Sequence, residues 1–594
     1  MVKYPKAALL VLALAMVCIP IAPGTADTQQ NPTTQNNWLD ESKPIMTYCQ
    51  PDMYACAGYQ PLSDEQYLPP WAPGYRNIQG YYHNDLTGIT RMPSYALAVT
   101  RDSSGQATKV ISCTDVLDSK CAGSEFTFSA DLQMCSGEIA IDCIRDITIT
   151  DANNKPLAFT VEGEFPKGNP QFFKGSTSIK VPTGGGSTLI HIPGAQHAGG
   201  DAYLIKPTMT GARWEGQSEI QMQGFNVSIS AVKIIDGKYS YGGVSTTPAL
   251  YSKGFSNIGN ENGNFPSTCA AASPTQCALK YALPLGMHFG MTIDLSRKVT
   301  GWLHGRVKAP QVEVSKNSAG GTTIKVSAEP IKIPVSAAWV NNDTAAQSIK
   351  DFYTGKENYG SPLFGNENKS KPLSEIVLLR DGNQGHTLET LNEFLAWLPT
   401  LGDKAQAMPT IWSIQTMSSY EVSDQIQKCL NQTDALAGIV TTNASEYLDG
   451  PPLFDKSTGS LDYKVAATHF EPDGTTIFRG TYDLVMSSKV ARCIYGFTNA
   501  PINATVSVTS ESGTNNVATT VVNERNGWLS LGAYNFTYSN PTIRVILTGT
   551  KESAAPAPVL TKKPNVVKQI TCVKGKVTKK VSAGKCPTGY RKKV

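Results

Sequence analysis

The sequence predicts a mainly β, multi-domain protein built of antiparallel β-sandwiches, with a small helical insert and a small, disulfide-closed C-terminal hairpin module. Short runs of alternating apolar and polar residues, such as 147–150 and 504–509, recur between clusters of turn-forming residues. That period of two is the pattern of a half-buried strand. The 594 residues include 51 glycines and 37 prolines, and only 17% are charged. Because glycine and proline favour turns, this composition indicates many short strands.

The N-terminus has the three parts of a secretory signal. Lys3 and Lys6 precede an apolar run over residues 7–22, and Gly24 and Ala26 supply small side chains before a cleavage point. Such a segment directs export and is then removed. The run is too short to span a membrane comfortably, and no later stretch reaches the roughly eighteen apolar residues that a span needs. We therefore expect a secreted or cell-surface protein with no transmembrane span.

These signals divide the chain into seven predicted segments. They are a signal peptide (1–26), an extended N-terminal arm (27–75), one or more β-rich domains (76–335), a mixed insert with short helices (336–450), a β-sandwich domain (451–550), a linker (551–560) and a basic C-terminal module (561–594). In the insert, Thr387 can cap a helix whose leucine-rich stripe runs over 388–398 and ends before Pro399. A second helix is expected near 421–430, and a strand over 491–496.

Removal of the signal peptide leaves twelve cysteines, an even number that fits an oxidising compartment. Their spacing predicts six disulfides: Cys49 with Cys56, Cys113 with Cys121, Cys135 with Cys143, Cys269 with Cys277, Cys429 with Cys493, and Cys572 with Cys586. Each short loop should contribute about 2–3 kcal/mol of stability and the long one about 4 kcal/mol. The chain has no Cys-x-x-Cys or His-x-x-x-His pair typical of a zinc site, so we expect no metal.

The best-patterned hairpin is predicted over residues 287–307. Apolar residues occupy the odd positions of 287–295, and Val299, Leu303 and Val307 share one face of the strand that follows. A three-residue loop at 296–298 would keep both apolar sets on one side, because a slip of one residue flips every side chain.

The opposite face of this hairpin is the candidate ligand-binding surface. Its members are His288, Trp302, His304 and Arg306, with Asp294 beside them. In the predicted register His288 faces Arg306. A His-Arg-Trp surface could bind an anionic sugar, or His304 could act as a base. The simpler interpretation is a solvated or second-layer sheet face with cross-strand polar pairs.

The common catalytic and nucleotide-binding motifs are absent from the sequence, among them Gly-x-Ser-x-Gly, His-Glu-x-x-His and the phosphate-binding glycine-rich loops. His191, His197 and Asp201 could together bind a metal, but their spacing fits no regular helix or strand, so a glycine-rich loop with incidental histidines is the simpler interpretation. Glu389 and Glu393 share a helical face opposite the leucine stripe, where we expect them to be solvated. The sequence thus favours a binding or structural role over catalysis, without a catalytic residue or cofactor.

The last segment, residues 561–594, is strongly basic. It contains eleven Lys or Arg and no Asp or Glu: Lys562, Lys563, Lys568, Lys574, Lys576, Lys579, Lys580, Lys585, Arg591, Lys592 and Lys593. Since the whole chain is +4 and the first 26 residues contribute +2, residues 27–560 carry about −9. A compact cationic unit attracts polyanions over long range, and outside a cell these are wall polymers, acidic glycans and phospholipid headgroups. Export and the scarcity of aromatic residues argue against nucleic acid as the partner. A solubilising tail is the alternative.

Residues 572–593, with Cys-Val-Lys-Gly-Lys at one end and Lys-Cys-Pro-Thr-Gly-Tyr-Arg-Lys-Lys at the other, resemble the short C-terminal module of many secreted actinobacterial proteins. Residues 301–306, 517–529 and 540–545 are similar to a large uncharacterised group of such surface proteins. The resemblance covers about half of the chain in patches. It implies export and association with the cell envelope, and it supplies no catalytic residue.

Together these features predict an exported, envelope-associated protein of a structural, adhesive or glycan-binding class, anchored electrostatically to anionic cell-wall polymers or glycans through its tail. Two alternatives stay open. A secreted polysaccharide hydrolase would need a deep cleft with two convergent carboxylates. A self-assembling surface-layer subunit would need free edge strands or large apolar patches.

Overall fold

The computed structural model describes most of the chain after residue 93. The described residues are 94–237, 246–248, 269–299, 301–334, 339–341, 346–353, 377–379, 388–405, 408–416, 428–429, 436–448, 452–455, 457, 460–496, 503–509, 519–538, 542–548, 570–581 and 585–593. The predicted signal peptide, N-terminal arm, linker and Cys49–Cys56 disulfide lie outside them, as does most of the predicted helix at 421–430.

The described residues are mainly β, as the alternating pattern predicts. The strands are β1 (Tyr95–Arg101), β2 (Ala107–Ser112), β3 (Glu125–Asp131), β4 (Cys143–Thr150), β5 (Thr160–Phe165), β6 (Ser187–His191), β7 (Ala202–Arg213), β8 (Gln221–Asp236), β9 (Cys269–Ala272), β10 (Gln276–Tyr281), β11 (His288–Leu295), β12 (Gly301–Arg306), β13 (Lys308–Lys316), β14 (Thr322–Glu329), β15 (Ile331–Lys332), β16 (Trp339–Asn341), β17 (Val377–Leu379), β18 (Thr410–Thr416), β19 (Leu436–Thr442), β20 (Glu446–Tyr447), β21 (Leu453–Asp455), β22 (Ser460–Ala466), β23 (Arg479–Ser487), β24 (Asn503–Thr509), β25 (Thr519–Arg525), β26 (Trp528–Thr537), β27 (Thr542–Thr548), β28 (Ile570–Lys574), β29 (Val577–Val581) and β30 (Arg591–Lys592). The helices are α1 (Gln347–Tyr353), α2 (Leu388–Trp397) and α3 (Ser488–Tyr495).

The strands form one large sheet and several small ones. The large sheet has 16 strands, and its main path runs β2-β1-β3-β7-β8-β18-β12-β19-β23-β26-β25. Neighbours along this path are antiparallel except β12 and β19, which pair in parallel. A four-stranded sheet has the order β13-β14-β11-β4, and a five-stranded sheet contains β20-β22-β27-β24 with β21 at its side. Two smaller sheets are β16-β17 and β29-β28-β30.

The largest core lies between the 16-stranded and the four-stranded sheets. Ile205 and Trp412 from the former and Met291 and Ile324 from the latter belong to one buried apolar cluster. The indole N–H of Trp412 also crosses between the layers and donates to the Ala328 carbonyl over 3.0 Å. Two sheets packed face to face around such a core form a β-sandwich, so the predicted fold class is confirmed.

The β-rich body is less divided into domains than the sequence predicts. Strands β18 and β19 come from the predicted insert, yet they pair with β8 and β12 of the preceding β-rich segment. Strands β23 and β26 of the predicted C-terminal sandwich continue the same sheet. By their contacts, β1–β27 belong to one unit and β28–β30 to another. The insert therefore supplies central strands of the body, because strand pairing in this sheet joins residues far apart in sequence.

The predicted hairpin over 287–307 is wrong. Strand β11 pairs with β4 and β14 in the four-stranded sheet, whereas β12 pairs with β18 and β19 in the large sheet. Phe289 lies opposite Ala328 and Ile149 instead of Gly305. The chain crosses from one layer of the sandwich to the other between the two strands, and a central strand that is covered on both faces buries its polar residues as well as its apolar ones.

Helix α2 confirms the predicted helix of the insert, but its buried face is rotated. Leu391 is buried, as the leucine stripe requires, while Leu388 is 46% exposed. Glu393 is only 4% exposed and lies one turn before the fully buried Trp397. The expectation that Glu393 is solvated is therefore wrong, because the helix packs through a face centred nearer to Trp397 than to Leu388.

Helix α3 replaces the strand that was expected over 491–496. Val490, Ala491 and Ile494 are buried, and this spacing follows the period of an amphipathic helix. Gly496 has a φ of 63° and ends the helix in the left-handed conformation that glycine adopts without a steric penalty.

Five of the six predicted disulfides lie within the described residues, and all five are confirmed. They are Cys113–Cys121, Cys135–Cys143, Cys269–Cys277, Cys429–Cys493 and Cys572–Cys586. Three of them close loops with the same sequence separation of 8, and the Cys429–Cys493 disulfide spans 64. Local pairing thus holds in the body, and the long disulfide joins helix α3 to a distant segment.

Candidate functional site

The four predicted ligand-binding residues do not share one surface. His288 begins β11, where its Nε2 lies 3.3 Å from Oε1 of Glu329. Trp302, His304 and Arg306 lie on β12 in the other sheet and are only 4%, 3% and 0% exposed. The predicted His-Arg-Trp face is therefore wrong in its geometry, since the four side chains are divided between two layers and three of them are buried.

The polar residues of β12 form hydrogen bonds and a cation–π contact inside the protein. The Nδ1 atom of His304 and the hydroxyl of Tyr447 form a hydrogen bond, and the Arg306 guanidinium lies 4.1 Å from the centre of the Tyr447 ring. Arg306 also donates to backbone carbonyls at the end of β19 and just after it, those of Thr442, Ala444 and Ser445. A buried cation needs such partners because an unpaired one costs several kcal/mol. We interpret Arg306 as a clamp on this segment.

The histidine-rich loop forms an ion-paired bridge beside a cavity of about 670 Å³. His191 Nδ1 lies 3.0 Å from Asp201 Oδ1, and its Nε2 lies 2.9 Å from Glu162 Oε2. These two hydrogen bonds, first that to Asp201, raise the pKa of the His191 imidazole. His197 makes a separate contact, with its Nε2–H donating to the Ala202 carbonyl over 2.9 Å, and burial lowers its pKa.

This bridge is poorly suited to a metal ion. The carboxylates of Asp201 and Glu162 contact opposite nitrogens of His191, so the ring occupies the space between them and the three side chains do not converge on one point. Among the described residues, no group of three or more His, Cys, Asp or Glu side chains is arranged to hold a metal. We interpret the bridge as a link between β5, β6 and the loop before β7.

The basic C-terminal module folds as a small three-stranded sheet. Strand β28 lies in the centre and pairs antiparallel with β29 and β30. Gly575, with a φ of 59°, makes the turn between β28 and β29 of the predicted hairpin module. The Cys572–Cys586 disulfide closes the unit, and Cys572 is fully buried. This frame holds the cationic side chains on short, paired strands.

The charges of the module lie on both faces of its sheet. The described basic residues are all exposed: Lys574, Lys576, Lys579, Lys580, Lys585, Arg591, Lys592 and Lys593. Lys579 and Lys592 flank Cys572 on the two outer strands, whereas Lys580 lies opposite Thr571 and so points to the other side. No acidic residue lies within 561–594. Such an all-round positive field suits an extended polyanion better than a single compact anion. Lys562, Lys563 and Lys568 lie outside the described residues.

A second cavity, of about 380 Å³, lies where β13 approaches β23, β25 and β26. Asp483 of β23 lines it and is 4% exposed. The Tyr534 hydroxyl donates to Oδ1 of this carboxylate, and the Ala309 backbone N–H donates to Oδ2 over 3.1 Å. Burial raises the pKa of Asp483 to about 6, against the opposing effect of these two hydrogen bonds. Asp483 is not recognisable from the sequence, because a lone Asp in an alternating strand has the pattern of a solvated position.

We expect Asp483 to make the stability of the protein fall as the pH rises. With a native pKa of about 6 and an ordinary value of 3.8, the native carboxyl keeps a proton that the unfolded chain has lost, so stability falls from pH 4 and levels off above pH 6. Asp483→Asn removes this titration. Urea unfolding should therefore show the free energy of the wild type falling by about 2 kcal/mol relative to that of the variant between pH 4 and pH 7.

Tyr534→Phe is a second variant for the same measurement. It removes a hydrogen bond that favours the charged carboxylate, so the pH range of the stability change should move upward. If the free energies of unfolding of the wild type and of Asp483→Asn differ by a constant amount from pH 4 to pH 7, burial does not perturb the pKa of this carboxyl.

The fold and sites define a disulfide-stapled β-sandwich body together with a small basic β module. No family model matches the chain, and neither a curated protein nor a solved structure matches it at the required significance. Among the described residues, no helix is both long and apolar enough to cross a membrane.

Proposed function

We propose that this is an exported protein of the cell envelope, with a structural, adhesive or glycan-binding role, which its basic C-terminal module holds to anionic wall polymers. The observation that carries the proposal is the disulfide-closed sheet of β28–β30, whose eight described Lys and Arg side chains are all exposed and have no acidic neighbour in the segment. Five disulfides within the described residues are typical of proteins that work in an oxidising compartment.

The alternative of a polysaccharide hydrolase is less well supported. Hydrolysis of a glycosidic bond needs two carboxylates on opposite sides of the substrate, with room for the sugar between them. Glu162 and Asp201 line the same cavity, but the His191 ring fills the space between their contacting oxygens. Glu162 and Asp201 are therefore not placed as a catalytic pair in this cavity.

Neutralising the tail should strongly weaken the salt-sensitive binding to anionic polymers. In the full-length protein, the eight described basic residues of the module are replaced by glutamine, and binding to immobilised teichoic acid and heparin is measured across a salt series. We expect binding at low salt to weaken at least tenfold, because each Lys or Arg near an anionic surface contributes about 1 kcal/mol. Wild-type binding should itself weaken as salt rises.

The control variant changes net charge by the same amount elsewhere. It replaces eight exposed lysines of the body by glutamine: Lys109, Lys120, Lys155, Lys174, Lys233, Lys316, Lys325 and Lys464. This control should bind within about twofold of the wild type, because its changes are dispersed over the body and leave the module's field intact. Equal losses of binding in the two variants would show that net charge alone explains the effect. Unchanged binding by the tail variant would refute anchoring through the module.

A further inference from the structure

The turn between β25 and β26 builds one wall of the cavity beside Asp483. Asn526 and Gly527 have φ values of 52° and 79°, and both being positive fits the two-residue turn that matches the twist of a hairpin. This turn sets Arg525 opposite Trp528 and Asn523 opposite Ser530. Because directly paired residues share a face of the sheet, these four side chains stand together on one surface, and all four line the cavity.

Next along this surface lies a tyrosine that is folded back onto the sheet. Gly532 pairs with Asp483 across β23 and β26. A Cβ atom on Gly532 would lie only 2.7 Å from the Tyr534 hydroxyl and 2.8 Å from its ring. The absence of a side chain at Gly532 therefore lets the phenol lie over the backbone and reach the carboxylate. The result is a fixed pair of a phenol and a carboxylate at the inner end of the cavity.

Strand β13 supplies the facing wall. Gln311 and Glu313 alternate with the buried Pro310 and Val312, and the two polar side chains are exposed. Trp528 is partly buried against the core cluster of the sandwich, and Arg525 on the other wall is exposed. The cavity is therefore lined by a partly buried indole and, on both sides, by residues that carry hydrogen-bonding side chains.

We propose that this cleft binds a neutral sugar unit of an extracellular glycan, with the ring of the sugar against Trp528. A sugar ring has an apolar C–H face that suits an indole surface and a rim of hydroxyls that both donate and accept hydrogen bonds. Asn523, Gln311 and Ser530 can donate and accept, and Arg525 can donate. A volume of about 380 Å³ falls in the lower part of the range of small-ligand sites.

The charges of the cleft favour a neutral over an anionic sugar. Arg525 on one wall is balanced by Glu313 on the other, and Asp483 at the inner end adds a further acidic group. An anion would gain little from such a lining, in contrast to the all-positive C-terminal module. This proposal rests on the glycan-binding part of the proposed function. It assigns binding of the neutral glycan to the body and binding of the polyanion to the C-terminal module.

The test measures binding of the full-length protein to soluble neutral polysaccharides. The probes are dextran, mannan, galactan and chitin oligosaccharides. Binding of each is measured by affinity electrophoresis and isothermal titration calorimetry, at a salt concentration high enough to suppress polyanion binding by the C-terminal module. We expect at least one probe to bind, and Trp528→Ala to weaken that binding at least tenfold. Arg525→Gln, an exposed change that leaves the packing of the indole in place, should weaken it severalfold.

Trp214→Ala is the matched control, because Trp214 is another partly buried indole of the body and packs against a different core cluster. It should bind the probe as the wild type does. The tail-neutralised protein should also keep this binding while it loses teichoic acid, which separates the cleft from the anchor. Binding of none of the four probes, or equal binding by the wild type and both cleft variants, would overturn the cleft proposal and leave the tail proposal standing.

Discussion

Replacing Arg306 with methionine should lower the free energy of unfolding by about 3–5 kcal/mol, because three hydrogen bonds to backbone carbonyls are lost. The wild-type guanidinium is fully buried and donates to the carbonyls of Thr442, Ala444 and Ser445. Methionine fills a similar volume but donates no hydrogen bond, so several buried carbonyls would lose their partner. Each such loss costs about 1–3 kcal/mol, and the contact with the Tyr447 ring is lost as well.

Urea unfolding of the two proteins measures this effect. Arg479→Met is the control, because Arg479 is exposed and the hydrogen bond from its guanidinium to the Asn535 carbonyl is long, at 3.5 Å. That variant should lose less than about 1 kcal/mol. Equal, small losses at Arg306 and Arg479 would show that the clamp does not stabilise the segment after β19.

Local features of this protein are readable from the sequence. Cys113–Cys121, Cys135–Cys143 and Cys269–Cys277 close loops with a separation of 8, and a short loop leaves each cysteine near its neighbour in any compact state. The turn at Asn526–Gly527 is equally local, because its two positive φ angles suit those residue types. The turn at Gly575 is local as well, because glycine adopts its φ of 59° without a steric penalty. Signals of this kind depend on a few adjacent residues.

The pairing of β12 cannot be read in the same way. Its partners, β18 and β19, begin at Thr410 and Leu436, more than one hundred residues later in the chain. A period of two in the sequence indicates a strand but not its partner, and it assigns polar residues to solvent. In β12 both faces are covered, so His304 and Arg306 find their partners inside the protein. The predicted binding face failed for this reason.

The cleft beside Trp528 was missed for a related reason. Its lining comes from β13, β23, β25 and β26, and no two of its walls are adjacent in sequence except across the turn between β25 and β26. The composition of that hairpin is ordinary, and the strand that contains Asp483 has the sequence pattern of a strand with one face in solvent. What makes the site is the packing of two sheets, which sequence periodicity does not specify.

Removing the Cys429–Cys493 disulfide should cost about 4 kcal/mol, more than any of the three short-loop disulfides. The disulfide spans a separation of 64, and closing a longer loop removes more conformational entropy from the unfolded chain. Cys429 is 2% exposed, and helix α3, which carries Cys493, packs on β23 and β26. The double variant Cys429→Ser/Cys493→Ser tests the expectation by urea unfolding under non-reducing conditions.

Comparison with Cys113→Ser/Cys121→Ser separates loop entropy from the loss of native contacts. The short loop has a separation of 8, so the same relation gives about 2–3 kcal/mol for it. Both half-cystines of the short disulfide are buried, whereas Cys493 is only partly buried, so the loss of native packing should be no larger at the long disulfide. A larger loss for the long disulfide would therefore arise from the unfolded chain. The loss of stability in Cys429→Ser/Cys493→Ser could instead be no larger than that in Cys113→Ser/Cys121→Ser. That result would mean that other contacts already hold the segment before β19 to the body, and that the disulfide secures an arrangement which the sheet itself specifies.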